Sequence, residues 1–121
     1  MPAPRAQRVL HVINNLPVGG AERFLVLLAR AQRDLGWEVE VATLALPNPL
    51  ADELAAHGIP HLELARPRLN DPRLVLDLYR LCRAHRPQVV HTHLFYADTA
   101  GRLAARAARV PVVGSTEHST E

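Results

Sequence analysis

Lysine is absent, and all 14 basic residues are arginine. That excludes a Walker-type phosphate loop, a Schiff-base lysine and a lysine general base. Cys82 is the single cysteine, so no internal disulfide can form and a cytoplasmic location is the expectation. Aromatics are scarce: Phe24, Trp37, Tyr79, Phe95 and Tyr96, with no basic patch interleaved among them. With 12 acidic residues the net charge is only +2, a weak field, and no nucleic-acid partner is expected. No apolar run approaches the ~20 residues that cross a bilayer. The opening MPAPRAQRVLHVINN does not read as a signal peptide, because its apolar run is short, breaks at His11 and lacks a small-residue cleavage site. What remains is a chain of 121 residues, 48% hydrophobic and without repeats. One globular domain, burying roughly two thirds of its unfolded surface, is expected over residues 8–121, behind a loose leader at residues 1–7.

The chain is organised around residues 8–35, RVLHVINNLPVGGAERFLVLLARAQRDL. Val9, Leu10, Val12 and Ile13 form a short β-branched-rich run suited to a central parallel strand, interrupted only by His11. A helix follows, with Phe24, Leu27, Leu28, Ala31 and Leu35 as its expected apolar stripe and Arg23, Arg30, Arg33 and Asp34 opposite. Between strand and helix, Gly19 and Gly20 permit a sharp turn and close approach of a ligand to the backbone. The first N–H groups of a helix lack internal partners, so an anion can dock there. Two readings stand side by side: a phosphate cradle, or simply a tight strand-to-helix turn.

Further along, Gly36 ends the first helix and a second strand spans Glu38 to about Leu44. Asn48-Pro49 predicts a capped start for a short helix, LADELAAH, which Gly58 ends. Ile59–Leu64 predicts a short edge strand containing Pro60. Asp71-Pro72 opens a helix to His85 that turns Leu74, Val75, Leu78, Leu81 and Cys82 inward, with Cys82 as core filling. QVVHTHL is the fourth strand, a helix rich in alanine and glycine runs from about Ala97 to Arg109, and Pro111–Ser115 is the fifth strand. Strict alternation predicts an α/β, Rossmann-like open parallel sheet with helices on both faces. Right-handed crossovers give the order 3-2-1-4-5, with the switch point between strands one and four. The loop 14–22, the segment 91–96 and residues 115–118 then converge at the carboxyl ends of the strands.

The loop N-L-P-V-G-G-A-E is not G-x-G-x-x-G, and strand two ends without the acid that would hold a ribose, so a dinucleotide site is rejected. His91 and His93 share a strand face and His118 follows the neighbouring strand; three histidines can ligate zinc, but His-x-His at a buried strand end is commonly polar lining, and no metal is expected. G-S-T-E-H is not a nucleophile elbow. His118 suits a sugar or phosphate pocket, since a neutral imidazole both donates and accepts, and the alternative is a solvated loop histidine. Glu22 falls in the first helical turn, where a carboxylate suits the helix dipole.

VGGAERFLVLLARAQRDLGWEVEVAT followed by RPQVVHTHLFYADTAGRLAARAARVPVVGSTEH resembles the N-terminal half of family 4 retaining glycosyltransferases of GT-B architecture. The likeness runs from about Arg8 to His118 and rests on the combination of the G-G-A-E turn, the G-x-E-V strand start, the P-x-V-V-H-x-H strand and the V-P-V-V ending. It implies an enzyme moving a sugar from a nucleotide-diphosphate donor to a glycan or lipid acceptor with retained configuration and no cofactor. On that basis Gly19 and Gly20 match the donor-diphosphate turn, and His118 the catalytic histidine reaching the transferred sugar. Asn15, His93, Phe95 and Tyr96 fall where acceptor contacts are expected. The resemblance also implies that the paired-glutamate donor domain is missing and that this fragment alone is inactive. A stand-alone flavodoxin-like binding module is the other reading. Arg66, Arg68, Arg73, Arg80 and Arg83 offer either a solvated face or a peripheral contact with an anionic membrane surface.

Overall fold

In the computed structural model the described residues are 7–15, 20–93 and 95–116. The elements are β1 (Arg8–Ile13), α1 (Gly20–Asp34), β2 (Glu38–Thr43), α2 (Ala51–Ala56), β3 (His61–Glu63), α3 (Arg73–His85), β4 (Val89–His93), α4 (Phe95–Ala107) and β5 (Val112–Thr116). All five strands pair in parallel, in the order β3-β2-β1-β4-β5. This is the predicted Rossmann-like sheet, and it puts the switch point between β1 and β4.

Side-chain alternation along the strands divides the core in two. Leu10 and Val12 of β1 and Val90 of β4 pack with Leu74, Leu78 and Cys82 of α3 and Ala100, Ala104 and Ala105 of α4. On the opposite face Ile13, Val39 and Val41 pack with Leu25, Val26 and Ala29 of α1 and Leu54 of α2. Cys82 is core filling, as the sequence suggests; burial pushes its thiol up to about 11, so it stays protonated. Gly36 and Gly58 end α1 and α2 in left-handed conformations (φ 90° and 70°), which a Cβ would disfavour.

Two expectations are corrected. The first is the buried stripe of α1, which consists of Leu25, Val26 and Ala29, whereas Phe24, Leu27 and Leu35 are 45%, 61% and 73% exposed. RFLVLLARAQ is apolar on more than one side, so periodicity alone could not say which side meets the sheet. Arg33 Nε donates to His57 O at 2.7 Å and so marks the flank of α1 over α2. At 100° per residue, Phe24, Leu28 and Leu35 lie on the side of α1 opposite Arg33. The second is the start of α2. Asn48 does not cap it: the helix begins at Ala51 behind Leu50, which has helical dihedrals and no side-chain cap. The Asn48 amide donates instead to Thr43 Oγ1, Ala45 O and Glu63 Oε1 at 3.1–3.2 Å, so a bond across the sheet end replaces the local one. Asp71 behaves as expected, its Oδ1 accepting from Arg73 N at 2.9 Å at the start of α3.

The small residues of α4 set its distance from the sheet. A Cβ on Gly101 would lie 2.6 Å from Thr92 Cγ2. Gly101→Ala is therefore expected to destabilise the fold by about 1–3 kcal/mol in urea unfolding. Adding Thr92→Ser, which removes that methyl but keeps the hydroxyl bonded to Gly114 O, should recover most of the loss. On α1, Leu25→Ala should cost about 2–5 kcal/mol, whereas Leu27→Ala should stay within about 0.5 kcal/mol. Equal losses at the two leucines would contradict the observed orientation of the helix.

Candidate functional site

At the switch point the carboxyl ends of three strands lie level, with Ile13 paired to His93 and His93 to Thr116. Two helices start beside them: α1 at Gly20, after β1, and α4 at Phe95, two residues past the end of β4. The aligned peptide dipoles of a helix start carry partial positive charge, which favours an anion at this end of the sheet. Gly20 thus opens the helix at the floor of the crevice. Gly19 and His118 lie outside the described residues, as do the side-chain positions of Phe95 and Tyr96, although the backbone of both belongs to the first turn of α4.

On the β2–β3 side the rim is held by polar side chains. Asn15 is half-buried, and its Nδ2 points at Leu46 O, 3.5 Å away. Thr43 Oγ1 and His61 Nε2 lie 2.7 Å apart, and the Asn48 amide ties both Thr43 and Glu63 into the same set. Burial, opposed by the Glu63 charge, lowers the affinity of His61 for a proton.

Directly beneath the crevice lies a group that the sequence left undivided. His93 is fully buried, and its Nε2 is 3.0 Å from His11 Nδ1. His91 stacks on His93 with ring centroids 4.1 Å apart and an interplanar angle of 25°. His11 is also fully buried, and its Nε2 sits 2.6 Å from Gln32 Oε1 of α1. Because a carbonyl oxygen only accepts, His11 Nε2 carries the proton and its Nδ1 presents a lone pair towards His93. The three imidazoles place one nitrogen each within 4.8 Å of the others. Only His91 and His93 were legible as a pair. His11 joins them because β1 and β4 pair His11 with His91; His118, grouped with His91 and His93 by the sequence, lies outside the described residues. Burial, partly offset by the Gln32 bond and reinforced by His91, brings the pKa of His11 down from 6.5 to about 4.

The family model for Glycosyltransferase Family 4 matches residues 18–121. The chain belongs to glycosyltransferase family 4. Over 73 residues this family 4 chain is 34% identical to a curated protein of Escherichia coli, UDP-Gal:alpha-D-GlcNAc-diphosphoundecaprenol alpha-1,3-galactosyltransferase. That stretch is 60% of this chain but 19% of the relative, so the match spans only a small part of that protein's length. Among solved structures, Anabaena HepE in complex with UDP superposes with a TM-score of 0.70 at 23% identity, covering 89% of this chain and 29% of HepE. The C-terminal domain of a Pyrococcus furiosus hydrogenase superposes at 0.67 with 15% identity, covering 98% and 96%. The two superpositions show the fold, which hosts more than one chemistry.

Two further points bear on partners. Arg66 is held by Asp77 through bonds of 2.8 and 3.1 Å, and Arg73 by Asp71 at 2.7 Å, so part of the basic face named above is neutralised internally. No helix among the described residues is long and apolar enough to cross a membrane.

The depressed pKa of His11 has a consequence for stability. The unfolded chain binds the proton near 6.5 and the folded one only near 4, so acid favours the unfolded state. In metal-free buffer, stability should be full above about pH 6.5 and fall towards pH 4, with roughly 3 kcal/mol assigned to this group. Urea midpoints measured across that range should fall less steeply in His11→Leu than in the parent chain; identical slopes would show that His11 is not the titrating group.

Proposed function

We propose that this chain forms the acceptor-side part of a retaining GT-B glycosyltransferase, moving a sugar from a nucleotide-diphosphate donor to a glycan or lipid acceptor. The observation that carries the reading is the start of α1 at Gly20, on the floor of the β1–β4 crevice, within a stretch that matches family 4. Backbone N–H groups at such a helix start stabilise the charge that develops on a departing diphosphate. Gly19 and Gly20 serve that turn. His118, which follows β5, reaches the transferred sugar. Asn15, just past β1, and Phe95 and Tyr96, at the start of α4, meet the acceptor; His93, expected from the sequence to do so, is fully buried and supports that wall from beneath instead. No metal takes part in the transfer step. The galactosyltransferase relative acts on a diphospho-undecaprenol substrate and HepE was solved with UDP, which makes a nucleotide-diphosphate donor and a lipid-linked acceptor the first substrates to test. A donor-binding partner domain completes the enzyme, so this piece alone is inactive in the same reading. A peripheral position at the inner membrane face would bring it to such acceptors.

A second reading is a stand-alone binding module without catalysis; what supports it is that the hydrogenase domain, covered almost end to end, is a fold of this size. The two separate on one titration. With UDP at millimolar concentration, NMR shifts should concentrate on the amides of residues 18–22; shifts elsewhere, or none, would overturn the cradle. In the whole transferase that carries this domain, His118→Ala should lower kcat by about a hundredfold with unfolding behaviour unchanged. Undiminished turnover would remove His118 from the chemistry.

A further inference from the structure

We propose that His11, His91 and His93 form a binding site for one divalent cation of the zinc class, tying β1 to β4 beneath the crevice. Three features of the structure support this, independently of the sugar-transfer reading. First, strand register places the rings on one sheet face: His11 pairs with His91, and His93 follows two residues on. Their nearest nitrogens all lie within 4.8 Å of one another. A zinc ion with bonds of about 2.0–2.1 Å needs its ligand nitrogens roughly 3.3 Å apart. The His11–His93 pair, at 3.0 Å, is almost at that spacing. His91 is half-buried, and closing the remaining distance would take a reorientation of its ring.

Second, the outer partner is in place. Gln32 Oε1 accepts from His11 Nε2 at 2.6 Å, which fixes the ring and directs the Nδ1 lone pair inward. Ligating histidines are commonly held in this way through their other nitrogen. Third, the site has an approach. Gly114 of β5 pairs with His91, and a Cβ built there would meet nothing within 4 Å. That gap leaves space for a water as fourth ligand. The donor set is all imidazole with no carboxylate, which suits zinc, copper or nickel and not the oxygen-seeking magnesium or calcium.

The full chain, stripped with a chelator, would be titrated with zinc chloride by calorimetry and with cobalt(II) by visible absorption. One ion per chain is expected, with micromolar or tighter affinity, the intense bands of four-coordinate cobalt, and a zinc-dependent rise in Tm. His91→Ala, at a half-buried position, should keep its circular dichroism and lose at least about tenfold in affinity. Gln32→Leu should lose roughly ten- to a hundredfold. His57→Ala, at an exposed histidine outside the group, should bind as the parent does. The proposal is overturned if zinc does not saturate below about 100 μM, or if His91→Ala leaves affinity and the cobalt spectrum unchanged. Either outcome would make the three rings a hydrogen-bonded ladder and nothing more.

Discussion

Strand β1 is hydrogen-bonded along both edges, to β2 over Arg8–Ile13 and to β4 over Val9–Ile13, and the rest of the structure depends on that double pairing. It forces the chain to wind outward in both directions from the centre, so α1 and α2 cover one face and α3 and α4 the other. The crevice between the ends of β1 and β4 follows from the reversal. So does the meeting of His11 with His91 and His93, since neighbouring parallel strands in fixed register bring residues 80 positions apart onto one patch. A slip of one residue between β1 and β4 would put His11 on the opposite face of the sheet from His91 and His93.

The crevice and the histidine group beneath it are two layers of one region. Above, the starts of α1 and α4 supply an anion-favouring field from backbone alone. Below, three imidazoles and the Gln32 amide fill what would otherwise be apolar core, with His11 held neutral by burial. Buried polar groups of this kind are tolerated only when they partner one another, and here the partners come from β1, β4 and α1. Gln32 therefore links α1 to the sheet by chemistry as well as by packing. The helix whose first turn is assigned to the donor is fastened two to three turns further along.

The alternation of strands and helices, the 3-2-1-4-5 order, and the inward face of α3 were all legible from period and punctuation. Leu74, Leu78 and Cys82 recur at helical spacing on a face with no competing stripe, so one reading was forced. In α1 two apolar stripes compete, and only the position of the sheet decides between them. Asn48-Pro49 carried a local capping signal that lost to a tertiary one, because Thr43 and Glu63 lie within reach of the amide. Arg86 and Arg109 end α3 and α4 with positive φ, a position where glycine or asparagine would have been the signal, so arginine gave no warning there. The candidate site was half visible. His91 and His93 announce a shared face by their spacing, but His11 reads as an interruption until strand pairing is known.

The tight seat of α4 has one more implication. Alanine and glycine let this helix approach the sheet closely, but each buried alanine removes far less apolar surface from water than the leucines that anchor α3. The helix bearing Phe95 and Tyr96 is thus placed by backbone proximity, against β1, β4, β5 and α3 at once. A larger side chain at Ala100, Gly101 or Ala104 would push the start of that helix outward and move one edge of the crevice with it.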